Sequence, residues 1–237
     1  MANILLTGAS RGIGAAARTA LIAAGHTVIG QSTVGGGGLI AADFAQPGAA
    51  NALWEQALAQ SDGHIDVLVN NAGVFEAADI ADAEAFADTW ARSLAINLQS
   101  AADLCRLAVL HFQQHGASNE GGRIINVASR AGHRGDSPKH WHYAAAKGGM
   151  LALTKTIARG YAAQNILAFA ITPGFTMTGM AEEYLASRGG DKLLADIPLG
   201  RVADAAEVAE AIRWLASEAP ASLTGATIDI NGASYVR

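Results

Sequence analysis

Short, mostly apolar segments alternate with segments of helical periodicity along almost the whole chain. Residues 3–7 and 166–172, for example, are apolar apart from their ends, which is typical of strands buried on both faces. Strands that alternate with helices form βαβ units with parallel strands and right-handed crossovers. The sequence therefore predicts an α/β fold, a doubly wound parallel sheet of about seven strands with helices on both faces.

The predicted strands are residues 3–7, 27–31, 39–42, 65–69, 123–128, 166–172 and 226–230. The predicted helices are residues 12–24, 48–60, 84–115, 141–163 and 205–217. Residues 32–38, which include four consecutive glycines, separate the second strand from the third, and this link is too short for a crossover helix. We expect there either a flexible link or a glycine loop that swings wide enough for parallel pairing.

The chain has 237 residues, a length that suits a single domain over residues 1–237. Hydrophobic residues make up 51% of it and charged residues 16%, so we expect burial both in a covered sheet and in contacts between subunits. A net charge of −5 without a basic run argues against nucleic acid or an anionic membrane as partners.

The sequence gives no signal for export or for membrane insertion. No apolar run reaches the ~18–20 residues of a membrane span. The first predicted strand begins at Asn3, which leaves no room for a signal peptide. The single cysteine, Cys105, excludes an internal disulfide and lies in an apolar run, so we expect it in the core. We therefore expect a cytoplasmic protein.

A glycine-rich turn, TGASRGIG at residues 7–14, joins the first strand directly to the first helix. Gly8, Gly12 and Gly14 meet three needs of a dinucleotide site: a tight turn, close approach of the backbone to a pyrophosphate, and close packing of helix on strand. The helix amino terminus offers unpaired N–H groups and a positive dipole end to the phosphates. The turn therefore predicts a single-domain, Rossmann-like nucleotide-binding fold.

The end of the second strand favours NADP(H) over NAD(H). An NAD site usually places a carboxylate there for the ribose 2′-hydroxyl, whereas this chain has Gln31, Ser32 and Thr33. Arg11 in the glycine turn could lie near a 2′-phosphate, which hydroxyls and a guanidinium suit better than a carboxylate would. Asp43, just after the third strand, could accept a hydrogen bond from adenine or could cap the next helix.

Tyr143 and Lys147 stand four residues apart on a predicted helix, which places their Cβ atoms about 5–6 Å apart on one face. A free phenol titrates near pH ~10, and a nearby cation lowers its pKa towards useful acid–base chemistry. In isolation this pair could arise by chance, and Ser129 and Asn97 upstream could simply end a strand and interrupt a helix. The nucleotide site in the same chain favours a catalytic group.

Together these residues identify a family. The chain resembles the short-chain dehydrogenases/reductases over essentially its full length. The motifs that carry the resemblance are TGASRGIG, NNAG at residues 70–73, PGFTMT at residues 173–178, and Asn97, Ser129, Tyr143 and Lys147. Within the family it is most similar to bacterial 3-oxoacyl-carrier-protein reductases, from which the short link between the second and third strands departs.

The resemblance implies an NAD(P)(H)-dependent oxidoreductase that transfers a hydride between nicotinamide and a small-molecule carbonyl or secondary alcohol. Tyr143 would act as acid or base, and Ser129 would hold the substrate oxygen. Lys147 would lower the Tyr143 pKa and hold the nicotinamide ribose, and Asn97 would anchor a water. The further implied cofactor contacts are Gly8, Ser10, Arg11, Gly12, Ile13, Gly14, Ser32, Thr33, Asp43, Phe44, Asn71, Ala72, Gly73, Pro173, Gly174, Thr176 and Thr178. A homo-oligomer, tetramer or dimer, is also implied.

Two segments border the implied substrate pocket. Residues 130–142 (RAGHRGDSPKHWH) are locally basic and would grip an anionic or aromatic substrate, or else lie in solvent or against a neighbouring subunit. The spacing of their three histidines does not match a ligand set, so no metal is expected. Residues 173–199 follow the carboxyl end of a strand and predict a lid or binding loop, with a surface excursion as the alternative.

Two other functions fit parts of the sequence. A related epimerase or dehydratase could use the same Tyr–Lys pair, although the chain lacks the extra carboxyl-terminal substrate domain that those enzymes usually carry. A non-catalytic dinucleotide-binding sensor or regulatory protein would bind the same cofactor, although such proteins usually lose the Tyr or the Lys.

Overall fold

The computed structural model describes residues 1–115, 121–177 and 194–237. Its strands are β1 (Asn3–Leu6), β2 (Thr27–Ser32), β3 (Ile40–Ala41), β4 (Val67–Asn70), β5 (Gly122–Val127), β6 (Ile166–Pro173), β7 (Thr176–Met177), β8 (Ala203–Asp204) and β9 (Thr227–Ile230). Its helices are α1 (Gly12–Ala23), α2 (Ala49–Ala59), α3 (Ala83–Leu94), α4 (Ser100–His115), α5 (Ala131–Arg134), α6 (Trp141–Tyr161) and α7 (Ala205–Ser217).

Seven of the strands form one sheet in the order β3-β2-β1-β4-β5-β6-β9, and all six pairings are parallel. The predicted doubly wound α/β fold is confirmed, and each of these strands lies within two residues of its predicted bounds. The chain reverses its direction of winding between β1 and β4, which is the position where such sheets bind their ligands. The short pair of β7 and β8 was not predicted from the sequence.

Alternate residues of each strand point to opposite layers of helices, which explains why both strand faces are apolar. On one side Leu5 and Leu68 pack with residues of α2, α4 and α6. On the other, Ile4 and Leu6 pack with residues of α1 and α7. Cys105 lies in the first of these layers, 1% exposed as expected, and burial raises the pKa of its thiol to about 12, so the thiol stays protonated.

The glycine-rich link between β2 and β3 takes the wide path that parallel pairing requires. Residues Gly35, Gly36, Gly37 and Gly38 all have positive φ, between 59° and 85°, a region that other residues enter only at a cost. The strands that they join pair in parallel, with Gln31 beside Ile40 and Ser32 beside Ala41. Four consecutive glycines thus allow a link that is too short for a helix to connect two neighbouring parallel strands.

The predicted helix over residues 84–115 is present, but it is not α-helical throughout. A π-helical turn, Ala95–Gln99, separates α3 from α4, and such turns often mark functional sites. Asp82 begins the first helix by accepting a hydrogen bond from the Ala85 N–H at 3.0 Å, as N-caps do. No helix within the described residues is long and apolar enough to cross a membrane.

Candidate active site

A cavity of about 610 Å³ opens at the carboxyl ends of the central strands, a size that suits a bound small molecule. It brings together nearly all of the predicted site residues. They are Gly8, Ser10, Arg11, Gly12, Ile13, Gly14, Ser32, Thr33, Asp43, Phe44, Asn71, Ala72, Gly73, Ser129, Tyr143, Lys147, Pro173, Gly174 and Thr176. Asn97 is buried beside the cavity, and Thr178 lies outside the described residues.

The glycine turn is shaped so closely that a side chain would not fit. Gly8 and Gly12 have φ of 65° and 54°. A Cβ on Gly14 would lie 1.9 Å from the Gly8 carbonyl oxygen, so only glycine lets α1 begin this close to β1. The first N–H groups of α1 have no partner within the helix, and the residues that carry them, Gly12, Ile13 and Gly14, line the cavity. The turn therefore fits a pyrophosphate.

The NNAG segment after β4 is tied to the glycine turn. The Thr7 hydroxyl accepts hydrogen bonds from the backbone N–H groups of Asn71, at 2.9 Å, and Ala72, at 3.0 Å. In return the Asn71 side-chain amide donates to the Thr7 carbonyl at 3.0 Å and to the Gly8 carbonyl at 3.2 Å. These bonds hold two loops of the cavity wall in one fixed arrangement.

Gln31, at the end of β2, has a structural role that the sequence did not reveal. Its side-chain oxygen accepts from the Gly8 N–H at 2.8 Å, and its amide donates to the Ala42 carbonyl at 2.7 Å. Ser32 accepts from the Gly35 N–H at 3.0 Å, while Thr33 is exposed. Two hydroxyls thus stand where an NAD site would carry a carboxylate.

Of the two roles predicted for Asp43, the structure excludes the helix cap. Its carboxylate accepts from the Ala45 N–H at 3.0 Å, two residues along the chain. Helix α2 begins later, after Gly48 as N-cap, so Asp43 does not cap that helix. Asp43 and Phe44 both line the cavity, and their contact with adenine stays a prediction.

Lys147 is a buried ammonium with one protein partner among the described residues. Its side chain extends from α6 towards the end of β5, where Nζ donates to the Val127 carbonyl at 2.8 Å. The residue is 3% exposed. Burial lowers the pKa of Lys147 to about 8, so at neutral pH it remains mostly a cation.

The sequence predicted that Lys147 lowers the pKa of Tyr143, but in the protein without nucleotide this pKa is raised. Burial raises the pKa of the phenol to about 12, while a hydrogen bond with Ser129 lowers it and the charge of Asp136 raises it further. Lys147 Nζ lies 5.9 Å from the centroid of the Tyr143 ring, and desolvation is the largest influence on the pKa of the phenol. Tyr143 therefore holds its proton at neutral pH.

Asn97 lies in the π-helical turn with its side chain fully buried. Its amide donates to the Val74 carbonyl at 3.0 Å and to the Ser93 hydroxyl at 2.9 Å. Its side-chain oxygen accepts from the Val74 N–H at 2.9 Å. These bonds fix the segment after β4 against the helix, and the water that the resemblance assigns to Asn97 stays a prediction.

Helix α5 connects Ser129 to the helix that carries Lys147. A Cβ on Gly132 would lie 2.7 Å from the carbonyl carbon of Lys147 and 2.9 Å from the Gly148 backbone nitrogen. Because both of those atoms belong to the backbone of α6, the two helices can approach this closely only at a glycine. The spacing between Ser129 and the catalytic face of α6 therefore depends on Gly132.

An aromatic wall beside Tyr143 was not predicted. Phe75 stacks on the His140 ring with centroids 3.9 Å apart and the planes 2° from parallel. The same Phe75 meets the edge of Tyr143, with centroids 4.8 Å apart and planes at 82°. His142 is buried, and its Nε2 lies 2.9 Å from the Glu76 carbonyl oxygen.

The basic loop over residues 130–142 is packed on the protein at its two ends, while residues 134–139 are exposed. Arg130 lies under the ring of Phe175, and His133 stacks on Tyr235 with ring centroids 5.2 Å apart. Within the described residues there is no group of three or more His, Cys, Asp or Glu that could hold a metal ion. The cavity wall thus takes Arg130 and Asp136 from this loop.

The chain is similar in sequence to one protein family and to several bacterial reductases. A family model described as enoyl-(acyl carrier protein) reductase matches residues 8–233. The 3-oxoacyl-[acyl-carrier-protein] reductase of Escherichia coli (strain K12) is 32% identical, over 98% of this chain and 96% of that protein. Its counterpart in Vibrio cholerae is 34% identical with the same coverage. That of Synechocystis sp. is 36% identical over 96% of this chain and 94% of that protein.

Proposed function

This chain belongs to the short-chain dehydrogenase/reductase family, and we propose that it reduces a ketone to a secondary alcohol with NADPH, with Tyr143 as the proton donor. It is an oxidoreductase. The observation that carries the proposal is the Tyr143 phenol, which lines the cavity together with Ser129 and Lys147 and is protonated at neutral pH because burial raises its pKa. It lies in one cavity with the nucleotide turn.

NADPH, when bound, supplies the hydride. Tyr143 gives its proton to the carbonyl oxygen as negative charge develops there, and Ser129 donates a hydrogen bond to the same oxygen. Lys147 is held by Val127 through one N–H group, and its remaining N–H groups would hold hydroxyls of the nicotinamide ribose. The reverse sequence of proton steps would serve alcohol oxidation.

Activity is tested by following NADPH consumption with a panel of ketones, 3-oxoacyl thioesters, diketones and sugars, and NADP⁺ reduction with the matching alcohols. Turnover of at least one pair is the expected result. The alternative is a non-catalytic dinucleotide-binding sensor or regulatory protein. NADPH binding without turnover of any compound in either direction would favour that alternative, although the intact group of Asn97, Ser129, Tyr143 and Lys147 argues for catalysis.

The cofactor is NADP(H) rather than NAD(H). We expect kcat/KM for NADPH to exceed that for NADH by about tenfold or more, because a charged hydrogen bond to the 2′-phosphate is absent with NADH. Replacing Arg11 with glutamine should reduce the ratio by a similar factor. Arg201→Gln removes an exposed guanidinium that pairs with Glu207 and should leave the ratio unchanged. Equal or inverted values for the wild type would contradict the preference.

Adding a methyl group at Gly132 should impair catalysis at a distance from the reacting atoms. The Gly132→Ala side chain would press on the α6 backbone at Lys147, and a displacement of about 1 Å in an active site can cost roughly 100-fold in rate. We expect kcat to fall by about 10- to 100-fold. Gly160→Ala is the matched control, because it adds the same methyl group to α6 itself, at a position with no atom within 4 Å of the added Cβ. A Gly132→Ala enzyme as fast as this control would show that the contact between α5 and α6 tolerates the methyl group.

Several further properties belong to the same proposal. The chain forms one domain over residues 1–237, with a substrate loop over residues 173–199, of which residues 178–193 lie outside the part of the chain that the structure describes. The enzyme is cytoplasmic and a homo-oligomer, tetramer or dimer, without nucleic-acid or membrane partners. Exposed apolar side chains on two long helices, Leu110 of α4 and Trp141 of α6, support subunit contacts there. Light scattering of the purified protein tests the assembly, and a monomeric mass would contradict it.

A further inference from the structure

Arg130 is a buried cation at the substrate end of the cavity. It follows Ser129 directly, lines the same cavity as Tyr143 and is 7% exposed. Its guanidinium carbon lies 5.1 Å from the centroid of the Phe175 ring, and its backbone N–H donates to the Pro173 carbonyl at 3.1 Å. The aromatic contact and the backbone bond hold this side chain in a fixed position.

The charge of Arg130 is only partly neutralised. A guanidinium has five N–H donors, yet among the described residues Arg130 makes one side-chain hydrogen bond, from Nη1 to Asp196 at 3.5 Å. The same carboxylate oxygen lies closer to Arg134 Nη1, at 3.1 Å. Asp196 is therefore shared by two cations and is bound more tightly by the exposed one.

The second carboxylate near Arg130 is also engaged elsewhere. Asp136 lines the cavity, but its Oδ1 accepts from the Ser137 N–H at 2.7 Å and lies 3.9 Å from His140 Nδ1. Burial lowers the Arg130 pKa, with Arg134 acting in the same direction, while Asp196 and Asp136 raise it. Arg130 is thus a cation at the cavity wall whose donor capacity the described residues do not fill.

A guanidinium with spare N–H donors at the wall of a cavity can bind an anion that enters the cavity. A guanidinium binds a carboxylate through two parallel N–H bonds, a geometry that an ammonium cannot offer. We infer that Arg130 binds a carboxylate of the substrate, so that the preferred substrates are oxo acids rather than neutral ketones or thioesters. This inference rests on the proposed function and adds the substrate class to it.

The rest of the wall is consistent with that placement. Beside Tyr143 the surface is formed by the Phe75 and His140 stack. The other guanidinium on that side of the cavity, Arg92, is already paired with Glu76 at 3.2 Å. Ser129 and Arg130 are neighbours in the chain, so one segment after β5 would hold both the carbonyl oxygen and the carboxylate. The substrate would then be fixed at two points, which orients the carbonyl carbon.

The test compares kcat/KM with NADPH for 3-oxobutanoate, its methyl ester and its N-acetylcysteamine thioester, with the 2-oxo and 4-oxo acid–ester pairs alongside. For at least one pair the acid should exceed the ester by roughly 10- to 100-fold, the size of a charged hydrogen bond. In the Arg130→Gln variant the acid-to-ester ratio should fall to about one. The matching 2-oxoalkyl phosphonate separates a preference for carboxylate from a preference for any oxyanion.

Arg159→Gln removes an exposed guanidinium from α6 and should keep the wild-type ratio. Turnover in which esters or thioesters equal the acids, or a ratio that Arg130→Gln does not change, would overturn the carboxylate assignment and leave the reductase proposal standing. Failure of every carbonyl would instead count against the reductase proposal. Calorimetric titration of the NADPH complexes of wild type and Arg130→Gln with acid and ester then tests the assignment without turnover, and equal affinities would overturn it.

Discussion

The Tyr143→Phe enzyme is expected to retain its fold and to lose roughly 100- to 10,000-fold in kcat, the range that a general acid contributes. The substitution removes one hydroxyl and keeps the ring, so the edge contact with Phe75 at 4.8 Å survives. The hydroxyl that is lost is the only proton donor proposed for the carbonyl oxygen. Because the pKa of Tyr143 is raised to about 12, the wild-type group is in its donating form throughout the neutral range.

Tyr161→Phe is the matched control for this variant. It deletes the same atom from the far end of the same helix, where the Tyr161 ring packs against the core. Steady-state kinetics give kcat, and circular dichroism with NADPH titration shows that fold and cofactor binding persist. If Tyr143→Phe turned over at the rate of Tyr161→Phe, another group would have to supply the proton and the assignment would fall.

The strands of the fold were predictable because a strand that is buried on both faces has a uniformly apolar sequence. This pattern was misleading at Ile65, which was predicted to start a strand. Ile65 is fully buried, but its N–H donates to His111 of α4 at 3.2 Å and β4 begins only at Val67. Apolar pattern reports burial, and it cannot tell whether the backbone pairs with a strand or with a side chain from a helix.

The π-helical turn within the long helix could not be predicted for a related reason. Residues on both sides of Asn97 continue the helical pattern, and the π-helical turn goes with hydrogen bonds to Val74, which is 23 residues away in sequence. The motif identified Asn97 as a candidate, but only the tertiary contact shows what its side chain holds. Gln31 and Phe75 were missed as site residues because their importance also comes from long-range contacts. Arg130 was predicted only as one of several basic residues in the loop over residues 130–142.

In the protein without nucleotide the pKa of Tyr143 is raised rather than lowered, for a physical reason that also concerns Lys147. A spacing of four residues shows that a cation is near, but it does not show that both groups are buried. In the folded protein desolvation dominates, raising the pKa of the phenol to about 12 and lowering that of Lys147 to about 8. The motif therefore predicts which groups meet, and burial decides their protonation.

Replacing Lys147 with methionine should produce an enzyme that is slower and yet more stable at neutral pH in the absence of nucleotide. We expect kcat to fall by roughly 100-fold or more, since the ammonium that positions the ribose is lost. Stability should rise because folding places a charged group where its pKa drops from 10.5 to about 8. That drop corresponds to a cost of about 3 kcal/mol at pH below 8, reduced by about 1 kcal/mol for the lost bond to Val127.

The stability difference should depend on pH in a defined direction. Between pH 8 and 10.5, the folded and ordinary pKa values of Lys147, the unfolded chain binds more protons than the folded one, so the wild type gains stability as pH rises. The advantage of Lys147→Met should therefore be full below pH 8 and mostly gone near pH 10.5. Urea unfolding of both proteins at several pH values measures it, and the difference between them cancels the titration of all other groups. A constant difference across this range would mean that the Lys147 ammonium is not desolvated in the folded protein, even if the variant is inactive.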